Sequence, residues 1–155
     1  AYWRMDYVEA PKKDLSKKHN FFLDIISGSD ENGLVIKRFD HSLIIMNKYP
    51  YNAGHLMVAP YREVPDLADL TGDERNDLMN AIVVGQSILK RALNPDGFNI
   101  GFNIGDAAGA GCPCHLHGHI VPRWRGDTNF MPVLGATKVL HQSLSSMWSR
   151  LRSFA

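Results

Sequence analysis

Apolar residues are grouped along the chain in several short runs and one long periodic segment, and this grouping predicts the secondary structure. Three runs rich in Val, Ile and Leu, bounded by Asp, Asn, Gly or Pro, predict strands at 34–38, 42–47 and 55–59. Apolar residues in alternation predict further strands at 98–104 and 115–121. Because a parallel crossover needs about a dozen residues or more, the short loops favour an antiparallel sheet.

Helical spacing predicts three helices beside this sheet. The compact apolar stretch Phe21–Ser27 stops at Gly28, which is typical of a short helix ended by glycine. Thr71-Gly-Asp-Glu74 is a capping box and predicts the start of a long helix that ends before Pro95. Its apolar stripe consists of Leu78, Ile82, Gly85, Leu89 and Leu93. A C-terminal helix is predicted from Leu140, Leu144, Trp148 and Leu151.

The 155 residues fit one domain, and we expect an N-terminal surface arm at 1–19 followed by a single α+β domain at 20–155. With 45% hydrophobic and 21% charged residues, the composition excludes a disordered, collagen-like or coiled-coil chain. No apolar run approaches the roughly 20 residues that span a bilayer, so we expect no membrane partner. Residues 1–18 show no secretory pattern, and we expect no signal peptide.

Charge and cysteine content narrow the choice of partner and compartment. The 17 Lys and Arg residues nearly balance the 16 Asp and Glu residues, so we expect no domain-wide basic face and no nucleic-acid partner. The two cysteines, Cys112 and Cys114, are too few for the disulfide framework of a secreted domain. We therefore expect a cytoplasmic protein.

Three of the seven histidines, His115, His117 and His119, fall within five residues. On a strand their side chains share one face, because successive side chains point to opposite faces. A solvated strand face, a metal site and nucleophilic catalysis by the central imidazole are the three interpretations of this pattern. The glycine-rich loop upstream favours catalysis, since Gly109 and Gly111 can turn backbone N–H groups towards a phosphate.

The segment HLHGHIV at 115–121 resembles the signature of the histidine triad family, whose members transfer or hydrolyse nucleotides. The segments NKYPYNAGHLMVAP at 47–60 and GFNIGFN at 97–103 resemble two further blocks of that family. HLHGHIVPRWRGDTNFMPVL at 115–134 is similar to the bacterial branch near diadenosine tetraphosphate hydrolases and phosphorylases. The resemblance extends over about residues 20–152 and implies the histidine triad fold, with a five-stranded antiparallel sheet, one long helix and a C-terminal helix.

The resemblance also implies roles for individual residues. His117 corresponds to the nucleophile that takes the α-phosphate and becomes a nucleotidyl-imidazole. His115 and His55 are expected to fix its ring and tautomer, and His119 to lie on the side of the phosphate and the leaving group. Asn47 is expected to contact the ribose. The phosphate oxygens are expected to bind Asn103 and the backbone from Gly109 through Gly111 to Cys112. The base is expected to lie between the apolar side chains of Phe22, Ile25, Ile45 and Met57.

We therefore expect an enzyme that cleaves dinucleoside polyphosphates at the α-phosphate through a nucleotidyl-histidine intermediate. Four alternatives stay open: a diadenosine tetraphosphate phosphorylase with phosphate as acceptor, a nucleoside phosphoramidase, a nucleotide-binding regulator with vestigial activity, and a tri-histidine metalloenzyme. We expect no cofactor bound by the protein, although the substrate can carry a divalent cation such as Mg²⁺. The resemblance also implies a homodimer.

Two positions depart from the family pattern. Many bacterial relatives carry a Cys-x-x-Cys zinc site where this chain has Asn20-Phe-Phe-Leu23, and neither Asn nor Leu is a zinc ligand. We therefore expect no structural zinc, and we interpret Cys112-Pro-Cys114 as a small loop near the phosphate. At Gly118 the family usually has a bulky residue, and because glycine weakens a strand, the packing of the far face is in question.

Overall fold

The computed structural model describes residues 19–128 and 142–155, which form an α+β architecture. Within these ranges five strands make one antiparallel sheet in the order β1-β2-β3-β5-β4, as predicted. The strands are β1 (Val35–Arg38), β2 (Ser42–Met46), β3 (Leu56–Pro60), β4 (Gly97–Phe102) and β5 (Gly118–Arg123). The helices are α1 (Phe21–Ser27), α2 (Gly72–Leu93) and α3 (Leu144–Arg152). Most of the predicted N-terminal arm and Leu140 lie outside the described residues.

Helix α2 begins and ends where the sequence predicts. The Thr71 hydroxyl accepts from the Glu74 N–H at 3.2 Å, and the Glu74 carboxylate accepts from the Thr71 N–H at 2.7 Å. Hydrogen bonds from Arg62 are the main reason why the pKa of Glu74 falls to about 2. At the other end Asn94 is left-handed, and its N–H donates to the carbonyl of Lys90. In the described parts of the chain, none of the helices is both long and apolar enough to cross a bilayer.

The sheet has two buried faces with different partners. On the first face, side chains such as Ile44, Leu56 and Ile120 pack against α2. A Cβ on Gly85 would lie 2.7 Å from the Cδ1 of Ile120, so the absence of a side chain there lets α2 approach the sheet closely. Helix α3 packs at the same side, and the Trp148 indole donates to the Val35 carbonyl at 3.0 Å.

The second face, which we call the site face, carries a separate apolar cluster. Helix α1 covers this face and contributes the fully buried ring of Phe22. Register places Ile45, Met57 and His119 side by side across β2, β3 and β5. The cluster consists of Phe22, Val35, Leu43, Ile45, Met57, Ala59 and Cys112.

The predicted strand at 115–121 is wrong at its beginning, because β5 starts at Gly118. Of the three closely spaced histidines only His119 lies within the strand. The ladder with β3 runs no further than Val58 opposite Gly118, and β3 ends at Pro60, which has no N–H to donate. Residues 115–117 therefore leave the ladder, and the N–H of Leu116 donates instead to the carbonyl of Val64 at 2.7 Å.

Gly118 makes room for an aromatic ring on the neighbouring strand. Phe102 of β4 lies directly opposite Gly118, and a Cβ added to the glycine would meet its Cε1 atom at 2.9 Å. Phe102 also packs against the core cluster on the α2 side of the sheet. The glycine and the ring are thus complementary, which explains how the far face is filled without a bulky residue at 118.

We predict that Gly118→Ala lowers the free energy of unfolding by about 1–3 kcal/mol, because the new methyl group overpacks against Phe102. Urea denaturation measures the change. Gly97→Ala is the matched control, since at this other strand position a Cβ has no heavy atom of residues 19–128 or 142–155 within 4 Å. Adding Phe102→Leu to Gly118→Ala should recover part of the loss, and a double variant as unstable as the sum of both single changes would contradict this explanation.

Candidate active site

Four histidines converge where β5 begins and where the loop between β2 and β3 ends. His55, His115, His117 and His119 expose 0%, 1%, 5% and 9% of their surface. The ring of His119 lies 5.1 Å from the rings of both His55 and His117, measured between centroids. Phe22 stacks on His115 at 4.8 Å and lies 5.0 Å from His117. We call these four side chains the histidine cluster.

The ring of His117 is oriented by a backbone carbonyl. Its Nδ1 lies 2.8 Å from the carbonyl oxygen of His115. Because a carbonyl only accepts, the hydrogen-bond network assigns the proton to Nδ1 and leaves the lone pair on Nε2. Burial lowers the pKa of His117, which favours the neutral ring. The arrangement presents a neutral imidazole nitrogen that can act as a nucleophile.

His115 is held by hydrogen bonds at both ring nitrogens. The side-chain amide of Asn20 donates to its Nδ1 at 3.0 Å, and its Nε2–H donates to the carbonyl of Pro60 at 2.8 Å. Burial lowers the pKa of His115, so the ring stays neutral in this arrangement. His115 was expected to fix the ring and tautomer of His117, and its contact to the His117 ring is made by its backbone carbonyl.

His55 and His119 form a second hydrogen-bonded pair. The backbone N–H of Tyr51 donates to His55 Nδ1 at 3.1 Å, so the His55 proton is on Nε2. His55 Nε2 lies 3.0 Å from His119 Nδ1 and donates to it, which places the His119 proton on Nε2. That Nε2 is the one buried side-chain N or O atom without a partner among the described residues. Burial is the main reason why the pKa of His119 falls to about 4, followed by the repulsion of His117.

The residues predicted to contact ribose and base lie beside the histidine cluster. The Asn47 amide nitrogen lies 3.3 Å from His55 Nδ1, and its oxygen accepts from the Tyr49 N–H at 2.9 Å. The four predicted base contacts are brought together on the site face: Phe22, Ile45 and Met57 belong to its apolar cluster, and Ile25 packs against it. The structure thus places a buried apolar cluster, with the half-buried Ile25 at its edge, next to the four imidazoles.

The glycine-rich loop differs in one detail from the sequence prediction. After β4 the half-buried Asn103 leads into a short 3₁₀ helix, Asp106–Ala108. Gly109 is left-handed, with φ of 85°, and its N–H donates to the Asp106 carbonyl at 3.0 Å. This amide is therefore engaged within the loop, contrary to the expectation that it faces an anion. Gly111 is exposed, while Cys112 is buried in the apolar cluster of the site face.

Asn20 is a site residue whose contacts the sequence interpretation missed. Its Oδ1 accepts from the Phe22 N–H at 3.1 Å and caps α1, while its amide holds His115. The Cys112 Sγ–H donates to the same Oδ1 at 3.7 Å. A helix-capping residue before an apolar run is recognisable from sequence. Its contact with a ring 95 positions away is not, because only the tertiary fold brings the two together.

A polar contact outside the cluster fixes the loop that carries His55. The side-chain amide of Asn52 donates to the Pro122 carbonyl at 3.0 Å and to Asp127 at 2.8 Å. Arg123 pairs with both oxygens of Asp127, and these bonds are the main reason why the pKa of that carboxyl lies below its usual range. The loop is thereby tied to the end of β5, the strand that carries His119.

The ring nitrogens of the histidine cluster are directed at separate partners. Those of His115 are bonded to Asn20 and Pro60, and Nδ1 of His117 to a backbone carbonyl. Over 19–128 and 142–155, no three His, Cys, Asp or Glu side chains form a group that could hold a metal ion. The lone pairs do not converge in the manner of a tri-histidine metal site.

Comparison with known proteins places these observations in a family. A family model described as the HIT domain matches residues 29–126. The chain is 44% identical over 147 residues to a Mycobacterium tuberculosis protein named AP-4-A phosphorylase, covering 92% of this chain and 75% of that protein. It is 37% identical over 93 residues to the bis(5'-nucleosyl)-tetraphosphatase [asymmetrical] of Schizosaccharomyces pombe, covering 60% of this chain and 50% of that protein.

A solved structure agrees with the fold. The crystal structure of a Zn-bound histidine triad family protein from Mycobacterium smegmatis superposes with a TM-score of 0.71 at 27% identity, covering 86% of this chain and 91% of that one. The family match spans more than half of the chain and includes all four residues of the histidine cluster. The chain therefore belongs to the histidine triad (HIT) domain family.

Proposed function

We propose that this protein is an enzyme that cleaves dinucleoside polyphosphates, such as diadenosine tetraphosphate, at the α-phosphate through a nucleotidyl intermediate on His117. The observation that carries the proposal is the bond from Nδ1 of His117 to the His115 carbonyl, which leaves a neutral, buried Nε2 with its lone pair. The names of the phosphorylase and tetraphosphatase relatives support this class of substrate.

The first step forms a bond between His117 Nε2 and the α-phosphorus. The bond from that phosphorus to the bridging oxygen breaks, and the departing polyphosphate takes the electron pair. The Nε2–H of His119 is a buried donor without a partner in the described residues, which suits it to hydrogen-bond a phosphate oxygen that gains charge in this step. The donor needs no reorientation, because His55 already fixes the ring through Nδ1.

The second step transfers the nucleotidyl group from His117 to an acceptor. Water as acceptor releases a nucleoside monophosphate, whereas inorganic phosphate releases a nucleoside diphosphate. The 44% identity to a protein named AP-4-A phosphorylase favours phosphate as a second candidate acceptor. Both acceptors break the same bond to His117 Nε2, so the residues of the histidine cluster have the same roles in either reaction.

The neighbouring residues supply binding contacts in this proposal. The side chains of Phe22, Ile25, Ile45 and Met57 take the base. Asn47 takes the ribose hydroxyls from its position beside His55. Asn103 and the backbone of Gly111 and Cys112 take phosphate oxygens. Binding through amides and imidazoles rather than a basic face suits a chain whose formal net charge is +1.

We further propose that the protein acts as a cytoplasmic homodimer without a cofactor of its own. Helix α2 leaves Met79 and Val83 more than half exposed, at 56% and 58%, which supports an interface that includes this helix. The two cysteines are both free thiols, which suits a reducing compartment. A divalent cation such as Mg²⁺ enters with the polyphosphate substrate.

We predict that His117→Ala lowers turnover of diadenosine tetraphosphate at least about a thousandfold, because the nucleophile is removed. Affinity for the product nucleotide should change less than about threefold, as isothermal titration calorimetry can measure. Rapid quenching of the wild type with labelled substrate should leave nucleotide mass on the peptide that contains His117.

The exposed His41 gives the matched control, and His41→Ala should keep normal turnover. Normal turnover by His117→Ala, or an unmodified peptide during wild-type turnover, would be incompatible with the proposed intermediate.

We predict that the products of diadenosine tetraphosphate depend on the acceptor supplied. Without phosphate the products should be AMP and ATP, whereas saturating phosphate should replace AMP by ADP if phosphate competes with water for the intermediate. Chromatographic product analysis measures both, with a nucleoside phosphoramidate as comparison substrate. Treatment with EDTA followed by Mg²⁺ should restore full activity, whereas permanent loss would favour the tri-histidine metalloenzyme. Symmetrical cleavage to ADP without phosphate would argue against attack at the α-phosphate.

We predict that kcat/KM stays near its maximum when the pH falls to about 6.5, the ordinary pKa of histidine. The value of kcat/KM should decrease only at pH values below about 6.5. Burial lowers the pKa of His117, so its lone pair remains until the solution is more acidic than a free imidazole requires. The measurement is a pH–rate profile, with circular dichroism to restrict it to pH values at which the protein is folded. An acidic limb at or above pH 6.5 would show that a neutral His117 is not the limiting group.

A further inference from the structure

Two free thiols lie side by side at the turn that leads into the histidine cluster. The Sγ atoms of Cys112 and Cys114 are 3.4 Å apart, and neither forms a disulfide. Cys112 is 3% exposed, whereas Cys114 is half-buried and reachable from solvent. The proposed reaction uses the backbone of Cys112 only, so the pair of sulfur atoms has no role in it.

We propose that Cys112 and Cys114 are a reversible oxidation site, at which a hydroperoxide converts the two thiols into an intramolecular disulfide that loosens the support of His115. The sulfur atoms must approach from 3.4 Å to about 2.05 Å. The preceding residue, Gly111, is exposed, and none of the heavy atoms that the structure describes lies within 4 Å of a Cβ placed there, so the described part of the turn has room to adjust.

Burial determines the order of the chemical steps. It raises the pKa of Cys112 to about 12, which keeps this sulfur protonated, so the more exposed Cys114 reacts first. The Cys114 thiolate attacks one oxygen of hydrogen peroxide, forms a sulfenic acid and releases hydroxide. That hydroxide takes the proton of Cys112 and becomes water. The resulting Cys112 thiolate attacks the Cys114 sulfur, so the S–S bond forms while the S–O bond of the sulfenic acid breaks and its oxygen leaves as hydroxide. Two thiols are oxidised and one peroxide is reduced to water.

The oxidation is connected to the histidine cluster through Asn20. In the reduced protein the Cys112 S–H donates to Asn20 Oδ1 at 3.7 Å, and the amide of Asn20 donates to His115 Nδ1 at 3.0 Å. A disulfide has no S–H, and its formation draws the Cys112 sulfur towards Cys114. Asn20 then loses one of the contacts that fix its amide, and the ring of His115 loses part of its support.

The effect on the proposed reaction follows from the hydrogen bond between His117 and the backbone carbonyl of His115. The carbonyl of His115 orients His117, so a change at His115 reaches the nucleophile without any contact between sulfur and substrate. This part of the inference rests on the proposed function. The formation of the disulfide and the change at His115 do not rest on it.

The first experiment compares the 155-residue chain in its reduced form with the same chain treated with hydrogen peroxide in the presence of EDTA. The oxidised chain should show no alkylatable thiol, and its peptide at 112–114 should be lighter by two hydrogen atoms. Dithiothreitol should restore both thiols. Two alkylatable thiols after treatment, or sulfinic acid as the sole product, would overturn the oxidation site.

The second experiment follows the side-chain ¹⁵N resonances of His115 and the turnover of diadenosine tetraphosphate. Oxidation should shift the His115 resonances and lower turnover about tenfold, the size of effect expected for the loss of a hydrogen bond. Dithiothreitol should reverse both changes. A disulfide that alters neither the resonances nor the turnover would overturn the link to His115.

Cys114→Ser is the matched variant, with Cys114→Ala as a second in case serine is poorly tolerated. Either should keep wild-type turnover when reduced and be insensitive to peroxide at His115. Asn20→Ala should show the lower turnover already in the reduced state, and wild-type turnover would refute the route through Asn20. If the reduced protein does not cleave dinucleotides at all, the proposed function fails, while the mass and resonance measurements still test the oxidation site.

Discussion

The directed hydrogen bonds of four buried, neutral imidazoles are the constraint on which the site depends. A neutral imidazole has one donor and one acceptor nitrogen, so one fixed neighbour determines what the other nitrogen can do. The His115 carbonyl makes Nδ1 of His117 a donor, and the Tyr51 N–H sets the direction of the bond from His55 to His119. The cluster therefore presents a lone pair on His117 and, on His119, an N–H that has no partner within the part of the chain that the structure describes. A charged imidazole would disturb this pattern, which burial opposes.

The two faces of the sheet pack against different partners, and this packing fixes the positions of the histidines. One face packs on the long helix α2, where Gly85 allows close approach and the large aliphatic side chains are fully buried. The other face carries His119 and a buried apolar cluster, which α1 covers through Phe22. The loop with His55 is tied to the end of β5 through Asn52 and Asp127. The elements that carry the histidines therefore have little freedom to move independently.

The sequence predictions are accurate for features that depend on residues close together in the chain. They are less accurate for features that depend on residues far apart in the chain. The capping box at Thr71, the end of α2 at Asn94 and the short helix at Phe21–Ser27 depend on residues a few positions apart, and all three are present. The start of β5 was predicted three residues too early, because it depends on a proline in another strand. The match of Gly118 with Phe102, and the contacts of Asn20, depend on pairings that periodicity does not encode.

The sequence by itself therefore determined the antiparallel sheet, the long helix, the family and the histidines of the cluster. The sheet and the helix are written in local periodicity. The family and the four histidines follow from the resemblance of the segments at 47–60, 97–103 and 115–134 to a known family. Only the tertiary structure decided which nitrogen of each ring carries the proton, because the partners of these nitrogens are backbone and side-chain groups from distant segments. It also decided that the two cysteines lie beside Asn20, since Cys112 and Asn20 are 92 positions apart in the chain. A hydrogen bond depends on distance and direction in space, which a linear pattern does not contain.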